Sequence, residues 1–299
     1  MATLFCFGLG YSASHYIAAY GGRFDRIAGS VTTREKAAAI ARAGIGGHKV
    51  EAFVFDGSDA SPMVTAALID AAAVLVSVPP EERDPVLRHF ADTIAGAPQL
   101  QTIAYLSTVG VYGDHGGAWV DEETPAAPVA ERSRERLEAE QDWAALGARA
   151  GKPVAILRLA GIYGPGQNAL VQVARGTAKR IDKPGQVFNR IHVTDIAQAV
   201  DAAFAQAAKG VFNVTDDEPT APGVPIAFAA ELLGAAPPPE TPFAEAAKNM
   251  SPMALSFYGE SKRVRNDRLK RDLGVTLRYP SYREGLRALF ARGEGRLEA

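Results

Sequence analysis

The sequence has a single cysteine, Cys6, in 299 residues. That excludes an internal disulfide framework and any cysteine-rich zinc site. It also suits a reducing compartment, the cytoplasm. Its five histidines, His15, His48, His89, His115 and His192, fall in no His-x-His or His-Glu-x-x-His spacing, so no metal is expected. No apolar run approaches the roughly 18 residues of a membrane span. The opening Met1–Phe7 has no basic segment and meets Gly8 too soon for a signal peptide. An excess of one charge is missing too: 32 basic against 34 acidic residues leave a net charge of −2. That balance argues against a surface built for nucleic acid or another polyanion. Ser107 lies in no Gly-x-Ser-x-Gly elbow, which leaves a hydrolase triad unsupported.

What is present is an alternation of short apolar runs and helical patterns. Leu4–Phe7, Arg26–Val31, Val50–Phe55, Val74–Val78, Thr102–Leu106 and Val154–Leu159 read as strands. Helices are expected over Ser12–Tyr20 and Glu35–Ala43, from Ser61-Pro62 to Asp70, and after Asp84-Pro85, where Ser or Asp followed by Pro fits the first helical positions. This spacing predicts an α/β fold: a doubly wound parallel sheet with helices on both faces. Later, Asn168–Arg175 and Asp195–Ala208 read as helices, and Val187–Val193 and Val211–Val214 as strands. A Pro-rich stretch from Pro219 to Pro242 reads as a linker or ordered loop, and helical patterns follow at Ile226–Leu233, Asp267–Leu273 and Tyr282–Phe290. The chain then divides into a nucleotide-binding domain over 1–165, rejoined by 187–215, and a small, mostly helical lobe over 166–186 and 216–299.

Gly8-Leu9-Gly10-Tyr11-Ser12-Ala13 is Gly-x-Gly-x-x-Ala between the first strand and the first helix. The first glycine permits the tight turn, the second lets the backbone approach a pyrophosphate, and the small third residue allows close helix–strand packing. The helix N-terminus, with Tyr11, Ser12 and Ala13, offers free N–H groups to the phosphates. An NAD site wants an acid at the end of the second strand, for the ribose 2′-hydroxyl. That end reads Ser30-Val31-Thr32-Thr33-Arg34 instead. Two hydroxyls and a guanidinium suit a 2′-phosphate, so NADP is expected rather than NAD. Asp56, closing the third strand, either approaches the adenine edge or caps the turn at Gly57.

Several strings together resemble the extended and atypical short-chain dehydrogenase/reductase superfamily, the NAD(P)-dependent epimerase/dehydratase group. They are the glycine loop, Leu106–Gly113, the Tyr-Gly-Pro-Gly turn within Leu157–Gly166, Arg190–Ala197, Val211–Val214, and Leu273-Gly274 with Tyr279-Pro280 and Glu284–Leu286. The resemblance implies a Rossmann-type sheet carrying a small C-terminal substrate lobe, and helices around the active site that often pair into a homodimer. It also implies a Tyr-x-x-x-Lys acid–base pair assisted by a Ser or Thr. Thr108 matches the latter. The region that should hold the pair, Pro128–Glu140, contains neither Tyr nor Lys. Arg132 falls at the tyrosine position and Arg136 at the lysine position. Arginine stays protonated, so it cannot act as a base. Arg136 retains the means to hold ribose hydroxyls or phosphate, although a charged helix face with Arg134–Glu138 and Arg136–Glu140 pairs is the simpler expectation. Tyr112 and Tyr163 are the remaining tyrosines in matching strings, as packing residues or as substitute proton donors.

Two functions follow from this pattern. One is an NADP-dependent oxidoreductase or epimerase/dehydratase-like enzyme on a nucleotide sugar or small carbonyl compound, with Thr108 polarising the carbonyl. The other is a non-catalytic NADP(H)-binding sensor. The basic stretch Lys262–Arg271 reads as a solvated helix face, or as a contact for a nucleotide diphosphate.

Overall fold

The computed structural model describes residues 2–296; Met1 and residues 297–299, at the two ends of the ranges above, lie outside it. Seven strands form one parallel sheet: β1 (Thr3–Phe7), β2 (Arg26–Val31), β3 (Glu51–Val54), β4 (Ala73–Val76), β5 (Thr102–Thr108), β6 (Val154–Leu159) and β7 (Gly210–Val214). Their order is β7-β6-β5-β4-β1-β2-β3. The chain reverses its direction of progress between β1 and β4, and in such sheets ligands bind in the crevice outside the carboxyl ends at that switch.

The strands are apolar on both faces because both faces are covered. Along β1, Leu4 and Cys6 join one core cluster, while Phe5 and Phe7 join the other. That is the two-residue period of a strand read out as two cores. The first face is covered by α1 (Tyr11–Tyr20), through Tyr16 and Ile17, and by the helix Val193–Ala205. The second is covered by α3 (Pro62–Ile69), α4 (Pro85–Gly96) and α5 (Glu131–Ala150), through Leu68, Phe90 and Trp143. The helix α2 (Arg34–Ala43) lies against the β3 edge. A third cluster, with Leu170, Phe228, Leu286 and Leu289, forms the core of the small lobe.

Several expectations need correction. Asp84 caps α4, accepting from the Val86 and Leu87 N–H groups; Ser61 and Pro62 hold the N-cap and first position of α3 as expected, but the Ser61 side chain makes no capping hydrogen bond. The strand expected over Val187–Val193 shortens to Arg190–His192 and pairs with Gly161–Tyr163 outside the main sheet. The Pro-rich stretch is built into the lobe: Val224–Leu232 is helical, and Glu240–Pro242 pairs with Arg180–Asp182. In the basic stretch, Lys262 is buried, donating to the Gly113 carbonyl and to Glu260, and Arg263–Val264 pairs with Trp119–Val120.

The Arg134–Glu138 and Arg136–Glu140 pairs do not form. Arg134 donates to the Val129 carbonyl, and Glu140 turns inward. There Glu140 takes a two-pronged contact from Arg158 of β6, at 2.7 and 3.1 Å, and accepts from Ser107 of β5 at 2.5 Å. The Arg158 guanidinium also lies 4.8 Å from the centre of the Tyr112 ring. A buried pair of this kind is held by its geometry, because either charge alone would face a low dielectric. Glu140→Ala is therefore expected to cost about 3–5 kcal/mol in urea unfolding. Combining it with Arg158→Met should recover part of that loss, because no charge is then stranded.

Candidate functional site

The glycine loop leaves β1 through Gly8 at φ +86°, a conformation that L side chains rarely adopt. A Cβ there would also meet the Ser77 hydroxyl at 2.9 Å. The Ser77 hydroxyl instead donates to the Gly8 carbonyl, and the Gly8 N–H donates to Ser30 Oγ. Gly10 precedes the first turn of α1 with no side-chain cap, and a Cβ on it would meet nothing within 4 Å. The helix N-terminus thus opens onto unobstructed space, which fits a dinucleotide pyrophosphate. Tyr11 reaches across to the Tyr-Gly-Pro-Gly turn, donating to the Pro165 carbonyl at 2.9 Å. Burial pushes its pKa up to about 12, with help from Glu294. Ser12 follows in the first turn, and Ala13 is fully buried, as close packing requires.

At the end of β2, Thr33 caps α2, accepting from the Lys36 N–H at 3.2 Å. Thr32 and Arg34 beside it are exposed, and Arg34 makes no salt bridge among the described residues. Asp56 forms the turn cap: it accepts from the Ser58 N–H and hydroxyl, which hold its pKa below the usual carboxylate value.

A cavity of about 780 Å³ opens past the carboxyl ends of β4 and β5. Its sheet side is made by Pro79 and Pro80 after β4 and by Thr108 at the end of β5; Arg132 and Arg136 of α5 line another wall. Thr108 Oγ1 accepts from the Gly110 N–H at 3.1 Å, which leaves its own hydrogen free to donate. Gly110 allows α5 this close, since a Cβ there would meet Ser133 Oγ at 2.9 Å. Arg136 donates to the Leu106 carbonyl at 2.8 Å and to the Tyr105 hydroxyl at 3.3 Å. Arg132 donates to Ser256 Oγ at 3.2 Å and stacks on Phe257, 4.1 Å from the ring centre.

The two tyrosines read as packing residues or substitute donors are both packed, and their hydroxyls are committed elsewhere. Tyr112 is fully buried, lies off the cavity, and donates to Asn213 Oδ1 at 2.8 Å; its position closes the packing beneath Arg158. Tyr163 lines the cavity, but its hydroxyl donates to the Ser281 carbonyl at 3.2 Å, and burial raises its pKa well above that of a free phenol. The cavity does contain Tyr258, Tyr282 and Arg190, none of which was singled out as a site residue. Arg190 sits in one of the quoted strings. The tyrosines had no local signal, because only the return of the C-terminal segments brings them here. His192, under this floor, packs on Tyr163 and Tyr279, and burial lowers its pKa to about 4.

Residues 86–215 match the model of the NAD-dependent epimerase/dehydratase family. The 3-diazoavenalumate denitrifying reductase of a Streptomyces species is 30% identical over 287 residues, covering 80% of this chain and 91% of that protein. A solved structure of a functionally unknown conserved protein from Silicibacter pomeroyi DSS superposes with a TM-score of 0.87 at 45% identity, covering 98% of this chain and 100% of the other. The chain belongs to the NAD-dependent epimerase/dehydratase family. Protein YeeZ of Escherichia coli K12 is a further relative, 28% identical over 285 residues, with 91% of this chain and 94% of YeeZ covered. Among the described residues no helix is long and apolar enough to cross a membrane, and no group of three or more His, Cys, Asp or Glu is placed to hold a metal ion.

Within this family frame the glycine loop gives a direct test. Gly10→Val puts a side chain into the space before α1 without meeting protein atoms. It is expected to abolish NADPH binding in calorimetric titration and leave the unfolding midpoint within a few degrees of the parent. Unchanged NADPH affinity would remove the dinucleotide site from this loop.

Proposed function

We propose that the protein is a cytoplasmic NADPH-dependent reductase that acts on a small electrophilic substrate without a tyrosine–lysine acid–base pair. One observation carries this reading: Arg132 and Arg136 line the cavity beside Thr108, where the resemblance calls for the dyad. Gly8, Gly10 and the N-terminus of α1 would hold the pyrophosphate; Thr32, Thr33 and Arg34 would hold the 2′-phosphate. Bound NADPH supplies a hydride. Thr108 donates its free hydrogen to the substrate oxygen or other acceptor. Arg136, anchored on the Leu106 carbonyl, presents fixed positive charge to the ribose side of the cavity. The lobe, described over 166–186 and 216–296, shapes the substrate end.

Neither arginine surrenders a proton near neutral pH. The reading therefore favours substrates whose reduction needs little acid help from the protein. The Streptomyces relative is, by its name, a reductase that removes nitrogen from a diazo compound. When a diazonium carbon is reduced with loss of N2, the C–H bond forms, the C–N bond breaks, and N2 leaves with that bond's electron pair. No proton is transferred. A carbonyl substrate would instead take its proton from water or a cavity hydroxyl. The same dyad loss also suits a protein that binds NADP(H) without turnover, which the activity test separates.

Arg34→Ala is expected to weaken NADPH binding about ten- to hundred-fold and barely change NADH binding, in parallel titrations, as loss of a charge-assisted contact predicts. Equal losses for both cofactors would make Arg34 structural.

Turnover is tested by NADPH oxidation on a panel of aryl diazonium salts, small carbonyls and nucleotide sugars. Thr108→Ala should lower turnover about 100–1,000-fold on oxygen-bearing substrates at unchanged cofactor affinity, the scale of a lost hydrogen-bond donor to a developing oxyanion. Rates typical of dyad enzymes and insensitive to Thr108→Ala would sink the assignment. Tight NADPH binding with no turnover anywhere on the panel would favour the sensor.

A further inference from the structure

Another stretch of the cavity wall gathers polar groups whose hydrogen bonds are incomplete. Arg190 lines it, with its Nη1 donating to the Phe188 carbonyl at 3.1 Å and to Thr220 Oγ1 at 2.9 Å. Among the described residues its other donors meet no protein acceptor, and it forms no salt bridge. Tyr282 lines the same cavity; it is buried, and its hydroxyl has no partner among the described residues. Tyr282 and Asp216 both lie within Coulombic reach of Arg190. Among the described residues Asp216 makes no salt bridge with it, and burial pushes the Asp216 pKa up to about 8. Desolvation in turn pulls the arginine below its ordinary value.

Buried polar groups in native proteins are nearly always paired, so incomplete donors converging on one cavity wall call for an explanation. Both groups here, a guanidinium and a phenol, are donors on residues that line the cavity. The group that satisfies both together is an anion with two acceptor oxygens. The neighbouring wall is apolar and partly aromatic: Phe188 and Tyr258, with ring centres 5.2 Å apart, alongside Ile226 and Leu286. Such a surface suits a flat, apolar body better than a hydrated one.

We infer that Arg190 and the Tyr282 hydroxyl form the subsite for a substrate carboxylate, with the planar apolar body of that substrate packed against Phe188 and Tyr258. This rests on reading the cavity as the substrate site of a reductase. It assigns the substrate class as an unsaturated or aryl carboxylate. A phosphate would use the same donors, so the probes must separate the two.

The test is calorimetric titration of the full chain with trans-cinnamate, neutral cinnamamide and UDP, with and without saturating NADPH. Wild type should prefer cinnamate to cinnamamide by about ten-fold or more, the scale of a charge-assisted contact. Arg190→Met should erase that preference, Arg190→Lys should keep part of it, and Tyr282→Phe should reduce it several-fold. All three variants should bind NADPH like wild type, which also reports that they fold. Equal affinity for cinnamate and cinnamamide, no cinnamate binding, or a preference that survives Arg190→Met overturns the inference. UDP binding more tightly than cinnamate, and weakened by Arg190→Met, overturns it in favour of a diphosphate subsite. Failure of wild type to bind NADPH strikes the reductase reading instead, and the titrations without NADPH still decide the carboxylate subsite.

Discussion

The contact between Glu140 and Arg158 fixes the middle of the molecule. It joins the helix that carries Arg132 and Arg136 to the strand beside Thr108, with Ser107 completing the carboxylate's partners. Buried ion pairs are poor sources of net stability, since desolvation consumes most of their attraction. Their value lies in geometry: a bidentate pair tolerates little sliding. Here it sets the register of α5 against the sheet one to two turns from the cavity wall. Arg158 also lies over the Tyr112 ring, and Tyr112 in turn bonds Asn213 of β7. Three adjacent strands and α5 therefore share one polar network beneath the site.

With that helix fixed, the chemistry on offer is that of permanent positive charge. A tyrosine–lysine pair moves a proton; two arginines hold anions and orient dipoles, and neither gives up a proton. Among the described residues the cavity has an otherwise uneven balance, because the carboxylate lining it, Glu260, is engaged by Lys262 at 2.7 Å. The charge presented to the cavity by its lining is thus predominantly positive.

The strand–helix frame and its glycine loop were legible in the sequence because their signals are local. A glycine between a strand and a helix, a period-two strand buried on both faces, and Asp-Pro before a helix each depend on neighbouring residues only. Arg132 and Arg136 could be located the same way, by alignment along a single helix. The far wall of the cavity was not, because its residues meet through distant returns of the chain. Tyr282 stands 92 positions after Arg190, in a helix whose pattern shows only its apolar side. Glu140 was misread for the same reason. Four residues from Arg136 it looks like half of a surface pair, and only β6 arriving beneath the helix makes it a core residue. Tyr112 looked available because its string matches an active-site strand end, yet Asn213 takes its hydroxyl from a strand about 100 residues later.

The two contacts made by Arg132 have a kinetic meaning. Its guanidinium bonds Ser256 and covers Phe257, both on the short helix Pro252–Tyr258 of the lobe. A residue facing the reaction space is thereby also a strut between the two halves of the chain. Entry or release that displaces the short helix must break a hydrogen bond and uncover an aromatic face, and the same event withdraws a charge from the cavity wall. A displacement of the short helix and a change in the charge lining the cavity are thereby a single event.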